Sequence, residues 1–558
     1  MRLDFIVENE GKITLTDKNY LASGGEASVY AKDRTAYKIY HDPAKMIPIG
    51  KIQELGQITS KNVLKPQNVI RNSKNVSVGY TMRFIKTTHP LCKLFTKNFK
   101  ANKKVSDEDI VYLIKKIQQT ILQIHKDGSL IVDLNELNLL VSAKFDVPYF
   151  IDVDSYQTLS YKATALMQSI KDPLVKNNNF TELSDWFGFG ILAFQLYIGI
   201  HPYRGKHPDY KGNEWTKRME DGISVFNKDV TLPRVCNDLS VIPKPHLEWF
   251  KDLFINNNRS IPPFADVVVT VIPVPETYIE GTEHFETVLI WDAPEKLLSV
   301  FDFMGLHYSI GTEHVYKEKA SLPNNIEGFE ILLCESSDMT PIICKLKDGL
   351  LTFEDVGTRV IDTINATKMM YRNGAIYSTY DGKLIENTFD KISSKIFHKT
   401  RVAANILDLS TKVFDGVVFQ DLLGRCHITL PYETGKCITI PVKELNGYRI
   451  LESRSEKNIC GVIAEKGGVY YRFVMVFNDT FTQYTMSKAD NVTYAPINLT
   501  VMTNGVCIMV TDSDVQIFKD NKVKVINDPP FDSTTRLFNS SGTVFFIDGN
   551  KIYSAKVK

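Results

Sequence analysis

Asp133 and Asn138 stand five residues apart in residues 125–141 (HKDGSLIVDLNELNLLV), and Asp152 and Asp154 follow in residues 148–156 (PYFIDVDSY). Carboxylate and amide oxygens suit a hard divalent cation such as magnesium, which takes one or two carboxylates beside substrate phosphates. Upstream, residues 21–30 (LASGGEASVY) are small enough for the backbone to come close to phosphate oxygens. Lys38 follows in a strand-like run, residues 36–40 (AYKIY). Phosphoryl transfer from a nucleotide uses this short inventory: amides over the phosphates, a lysine on them, metal ligands, and a carboxylate beside the acceptor hydroxyl.

These residues need elements to hold them. Residues 1 to about 85 read as short strands with turns, through period-two runs such as Ile13, Thr14 and Leu15. From Ser106 the pattern becomes helical. Ser106 reads as an N-cap followed by acidic first-turn residues, and Ile110, Leu113, Ile114, Ile117, Ile121, Leu122 and Ile124 recur at helical spacing. A second helix runs from Asp185 to about Ile198 and is apolar nearly all round, so it belongs in a core. A third is predicted around His246 to Phe254. The proline-rich stretch 260–276 places a domain junction near 270–280.

Five segments of this half, in order, resemble the motifs of protein kinases. Residues 21–30 are similar to the glycine loop, with Ala22, Gly24, Ala27 and Val29 at its four motif positions and Gly25 extra. The resemblance implies that Ala22, Ser23, Gly24, Gly25, Glu26, Ala27 and Val29 surround ATP. It implies that Lys38 contacts the α- and β-phosphates, with Glu54 as its helix-borne carboxylate partner. Residues 125–141 resemble the catalytic loop, with Asp133 as the base at the acceptor hydroxyl and Asn138 on the metal. Ile131 and Val132 replace the usual His and Arg, so no phosphorylation-gated loop is expected. Asn135 stands where a phosphate-assisting lysine is common. Asp152 matches the metal-binding aspartate that follows the loop, and Asp154 is a rival ligand. Residues 182–203 resemble the large central helix, with Asp185 bracing the catalytic loop. Arg259 resembles the late structural arginine; its glutamate partner is not located, and residues 171–173 (KDP) are the nearest candidate segment. The wording is closest to divergent kinase-like families of bacteria and their viruses.

Bulk composition narrows the class. Of 558 residues, 66 are Lys or Arg and 65 are Asp or Glu, a net charge of +1 that argues for neither nucleic acid nor an anionic membrane. Eight cysteines without C-x-x-C spacing exclude a zinc knuckle and read as buried free thiols. Eleven histidines show no metalloenzyme pairing. No apolar run is long enough for a membrane helix, and the first residues lack a signal-peptide core. The expectation is a soluble, cytoplasmic protein.

The second half is nearly all β. Glycine-led apolar runs at Gly374, Gly416, Gly468, Gly505 and Gly542 recur about every 40 residues, the period of a β-propeller blade. The expected fold is an α+β bilobal kinase-like domain at 1–272 (lobes about 1–86 and 87–272), then an all-β domain at 281–558. That second domain is read as a six- or seven-bladed propeller rather than a pair of β-sandwiches. The expected function is ATP- and Mg2+-dependent (Mn2+ possible) phosphorylation of Ser/Thr in a protein, with the propeller binding substrate or partner. A nucleotide-binding pseudokinase scaffold and a kinase for a small metabolite or nucleic-acid end are the alternatives.

Overall fold

The structure is a computed structural model describing residues 2–211, 214–264, 284–303, 305–502, 505–511, 514–519, 522–527, 529–540 and 542–558. The chain divides into two compact units. The junction predicted at 270–280 lies outside the described residues.

The first unit is α+β. Its strands are β1 (Arg2–Val7), β2 (Gly11–Thr16), β3 (Tyr20–Ser23), β4 (Ala27–Lys32), β5 (Thr35–Tyr40), β6 (Val69–Arg71) and β7 (Ser77–Arg83). They form one sheet in the order β2-β1-β6-β7-β5-β4-β3. A short helix, α1 (Ile49–Gly56), follows β5 and buries Lys51, Ile52 and Leu55. Strands β8 (Thr88–Pro90), β9 (Leu139–Ser142) and β10 (Pro148–Phe150) make a second small sheet, ordered β10-β9-β8. It fixes the segments that flank Asn138 and Asp152.

The helices of this unit are α2 (Lys97–Asn102), α3 (Asp107–Lys126), α4 (Glu182–Ile198), α5 (Trp215–Glu220) and α6 (Lys244–Phe254). Helix α3 starts as its sequence dictates: Ser106 Oγ accepts from the Asp109 amide at 3.1 Å, while the Asp109 carboxylate accepts from the Ser106 amide at 2.8 Å. Its apolar stripe, Ile110 to Ile124, is buried. Helix α4 is buried on nearly all sides. It approaches α6 so closely that a Cβ on Gly190 would lie 2.3 Å from Leu253 Cδ2, and Gly199 ends it with φ +89°.

The described residues of the second unit form seven four-stranded antiparallel sheets, six of them from consecutive strands between Leu297 and Asn527. The seventh pairs Phe285–Asp292 with Lys551–Val557, so the first strand of the unit completes a sheet built from its last three. Each successive pair of sheets shares a hydrophobic cluster, through to Leu297 and Tyr316 of the first sheet against Ile547 and Ile552 of the seventh. The sheets therefore close into a ring, a propeller-like arrangement. Residues of the inner strands and of the turns after them meet across the middle: Arg536 of the seventh sheet pairs with Asp415 of the fourth at 2.9 Å. The buried Arg372 of the third donates to Gly416 O at 2.7 Å and to Ser455 Oγ at 2.9 Å.

The glycine repeat needs one correction of register. Gly374, Gly416, Gly505 and Gly542 hold positive φ in the turn between the first and second strands of their sheets, but Gly468 lies between the second and third. In that sheet Lys457, with φ +50°, makes the first turn. None of the eight cysteines forms a disulfide; seven are buried and Cys437 partly so. Among the described residues no helix is long and apolar enough to cross a membrane.

Candidate active site

Strand β5 carries Lys38 between two other strands. It pairs with Val29 on β4 and with Tyr80 on β7. Close approach of β7 depends on Gly79, where a Cβ would sit 2.0 Å from Lys38 O. The Lys38 ammonium lies 2.7 Å from Asp154 Oδ2 and 3.1 Å from Asp152 Oδ1. Burial works against that charge, but Tyr80, Asp154, Asp152 and Tyr40 together hold its pKa well above the ordinary lysine value.

The two aspartates differ sharply. Asp152 follows β10 in the left-handed region, φ +58°, with its side chain 59% exposed. Asp154 is 11% exposed, and its Oδ2 also accepts from Tyr40 Oη at 2.8 Å. Burial pushes its carboxyl up, yet Lys38 and hydrogen bonds from Lys38, Tyr40 and Tyr80 leave it below the usual aspartate value.

The loop between α3 and β9 is ordered by its own side chains. Asn138 Nδ2 donates to Asp133 Oδ2 at 3.0 Å, and Asp133 Oδ1 accepts from the Met167 amide at 2.7 Å. Burial raises the Asp133 carboxyl above its ordinary value, outweighing those hydrogen bonds. Asn135 is buried with its Oδ1 accepting from the amides of Leu137 (2.8 Å) and Asn138 (3.1 Å), so it shapes the turn and does not point outward. The Ile151 amide donates to Asn138 O at 2.9 Å, tying the loop to the Asp152 segment.

Asp185, in the first turn of α4, is buried beneath this loop. Its carboxylate accepts from the amides of Ile131 and Val132 and from His125 Nε2, each at 2.8 Å. Val132 sits at φ +64°, an uncommon conformation for a β-branched residue, held by that bond. Arg259 forms a bidentate pair with Asp172 at 2.8 and 2.7 Å and stacks on Phe187. The unlocated acidic partner is thus the aspartate of the 171–173 segment.

Residues 22–29 form the β3–β4 hairpin, with Gly24, Gly25 and Glu26 at its tip and Ala22 paired to Val29. The Gly24 amide donates to Ala27 O at 2.9 Å. Glu54 does lie on α1, but it is half-buried and accepts from the Ser160 amide at 3.1 Å, and no ion pair joins it to Lys38. The inward residue of α1 is Lys51, whose Nζ donates to Asp154 O at 2.7 Å. Sequence reasoning passed over Lys51, Tyr40, Tyr80 and Met167. The stripe of Lys51, Ile52 and Leu55 was the available signal for the first.

No family model matches the chain. Over 138 residues, 24% of this chain, it is 25% identical to cyclic GMP-binding protein C of Dictyostelium discoideum. The matched stretch spans 5% of the length of that protein.

Proposed function

We propose that the first unit is a divergent protein-kinase-like phosphotransferase, using ATP and magnesium to phosphorylate Ser or Thr in a protein. The second unit is then a seven-bladed β-propeller that recruits the substrate or a partner. The observation carrying this reading is the loop of Asp133 and Asn138, braced from below by Asp185 and joined by hydrogen bonding to the segment that presents Asp152 to Lys38.

The side chains fit the roles. Asp152 is exposed, and Asn138 keeps its amide oxygen uncommitted while its NH2 group bonds Asp133. One carboxylate and one amide with substrate phosphates suffice for magnesium. When bound, that ion offsets the charge developing on the transferred phosphoryl group. Lys38 would hold the α- and β-phosphates beneath the β3–β4 hairpin. Asp133 would orient the acceptor hydroxyl and take its proton. The hydroxyl would share this carboxylate with the Met167 amide on Oδ1 and the Asn138 amide on Oδ2.

The same Met167 contact favours a second reading, a nucleotide-binding scaffold whose acceptor position is filled by its own chain. Incubation with Mg-ATP and a generic protein substrate separates the two, with an Asp133→Asn chain alongside. Label in the parent that disappears in the variant supports transfer through this loop. Absence of label with ATP-induced thermal stabilisation supports the scaffold. Absence of both refutes the nucleotide reading. The recruiting role of the second unit fails if removing residues 281–558 leaves partner binding and native-substrate phosphorylation unchanged.

A further inference from the structure

We infer that Asp154 is the carboxylate that holds Lys38 in place, the duty expected of Glu54, and that α1 supports this pair through Lys51. The inference deepens the proposed phosphotransferase reading and assigns Asp152 alone as the metal-binding carboxylate.

A lysine that must meet phosphates needs one fixed counter-charge. Asp154 supplies it from an enclosed position, with Lys38 at 2.7 Å and Tyr40 at 2.8 Å on the same oxygen. A magnesium ion keeps several waters and demands near-octahedral geometry. A carboxylate so engaged and only 11% exposed presents little surface to such a shell. Asp152 presents more: it lies at a solvent-facing turn and gives Lys38 only a longer, exposed contact. Helix α1 offers no acidic group to the lysine. It offers Lys51, buried, whose ammonium grips the main-chain carbonyl of Asp154 itself. Gly50 brings the helix onto the same segment: a Cβ there would lie 2.3 Å from Tyr161 Oη. The usual arrangement pairs the strand lysine with an acidic group on the helix; here the strand lysine keeps its place, the acidic group comes from the segment after β10, and the helix contributes a second lysine.

The test uses the full chain in two arms. The first needs no nucleotide. Urea unfolding midpoints are measured for Lys38→Met, Asp154→Asn, Glu54→Gln and the two double variants with Lys38→Met. The Lys38/Asp154 double variant should unfold at a higher urea concentration than the two single shifts predict when summed, because breaking one side of a buried pair strands the other. The Lys38/Glu54 pair should add. Additivity for Asp154, or coupling for Glu54, overturns the inference. If Asp154→Asn alone does not fold, recovery of folding in the Lys38→Met/Asp154→Asn chain supports the anchor, and a double variant that is also unfolded overturns it. The second arm measures ADP affinity by calorimetry with magnesium and with EDTA. Asp152→Asn should lose the gain that magnesium confers, at least about tenfold. Asp154→Asn should weaken ADP equally in both buffers. The reverse pattern overturns the metal assignment. Failure of the parent to bind ADP at all overturns the nucleotide reading and the Asp152 assignment with it, while the Lys38–Asp154 anchor stands or falls on the first arm.

Discussion

The pair of Arg259 and Asp172 permits a quantitative test of how the helical part of the first unit is held. The two side chains are 9% and 3% exposed, 87 residues apart, and joined by two hydrogen bonds of 2.8 and 2.7 Å. The Leu174 amide donates to Asp172 at 2.9 Å, and Arg259 Nη1 reaches Leu253 O at 3.2 Å. Removing one member leaves the other charge buried with only these secondary contacts. The expected cost of Arg259→Met or Asp172→Asn is about 3–5 kcal/mol. For a unit of this size that lowers the melting midpoint by about 6–20 °C. Three of the four tryptophans, Trp186, Trp215 and Trp249, lie in the first unit, so urea titration followed by tryptophan fluorescence reports mainly on it. The double variant Arg259→Met/Asp172→Leu should recover part of the loss, because neither charge is then stranded. A single-variant cost below about 1 kcal/mol, the figure for an exposed pair, would refute the reasoning. So would a double variant as unstable as the sum of its parts.

Asp185→Asn should cost about 3 kcal/mol or more, since an amide has one oxygen for three inward donors and charge-assisted bonds contribute about 1.5–3 kcal/mol each. It should also abolish label transfer, and a variant keeping parental stability and transfer would show that the loop needs no brace. Buried His201 should make the first unit acid-sensitive well above the carboxylate range. Its Nε2 bonds Ser169 O and its Nδ1 accepts from the Tyr203 amide, so the ring is neutral with the proton on Nε2. Burial holds its pKa down to about 3, against 6.5 when exposed. A depressed pKa means stability fully present above 6.5 and lost as pH falls from 6.5 towards 3. By pH 5 the loss is about 2 kcal/mol. His89, lowered to about 4 by burial and by Lys103 and Lys93, adds to the same slope. Urea midpoints at pH 7.5 and 5 check this, and a His201→Asn chain with an undiminished slope would contradict it.

Much of this architecture was legible because it is local. The stripe from Ile110 to Ile124, the Ser106 cap and the all-round apolar α4 follow from short-range periodicity, and each is where the pattern placed it. The Asp133 to Asn138 spacing works the same way, since that loop bonds mostly to itself. The ring of sheets was legible as a period but not in full register. Any residue able to adopt positive φ can make the first turn, so Lys457 took the place where a glycine was sought, and Gly468 fell one turn later. What stayed hidden was pairing across distance. Asp172 meets Arg259 and Lys51 meets Asp154 over separations of 87 and 103 residues. A buried lysine on a short helix looks like a surface residue until its partner is placed. Glu54, three residues along, was the natural but misleading choice for the partner of Lys38.

The departures at 131 and 132 have a physical reading in the same terms. Asp185 holds the loop of Asp133 and Asn138 through two main-chain amides, which every residue except proline possesses. Replacing His and Arg there by Ile and Val therefore leaves the brace intact. It fills the space beneath the loop with apolar side chains that are 1% and 6% exposed. The residual demand falls on the backbone, where Val132 must adopt φ +64°. Left-handed conformations cost a non-glycine residue about 1–2 kcal/mol, less than the two amide bonds to a buried carboxylate return. What the Ile-Val sequence does lose is a cation facing the 155–181 segment, and with it a means of ordering that segment through added phosphate. Here the segment is placed by its own contacts instead: Leu130 and Gln157 exchange backbone hydrogen bonds at 2.9 Å, the Met167 amide rests on the Asp133 carboxylate, and Asp172 pairs with Arg259. If the loop transfers phosphate, access of the acceptor hydroxyl to Asp133 therefore depends on where the Met167 segment lies against it and not on charging a remote side chain.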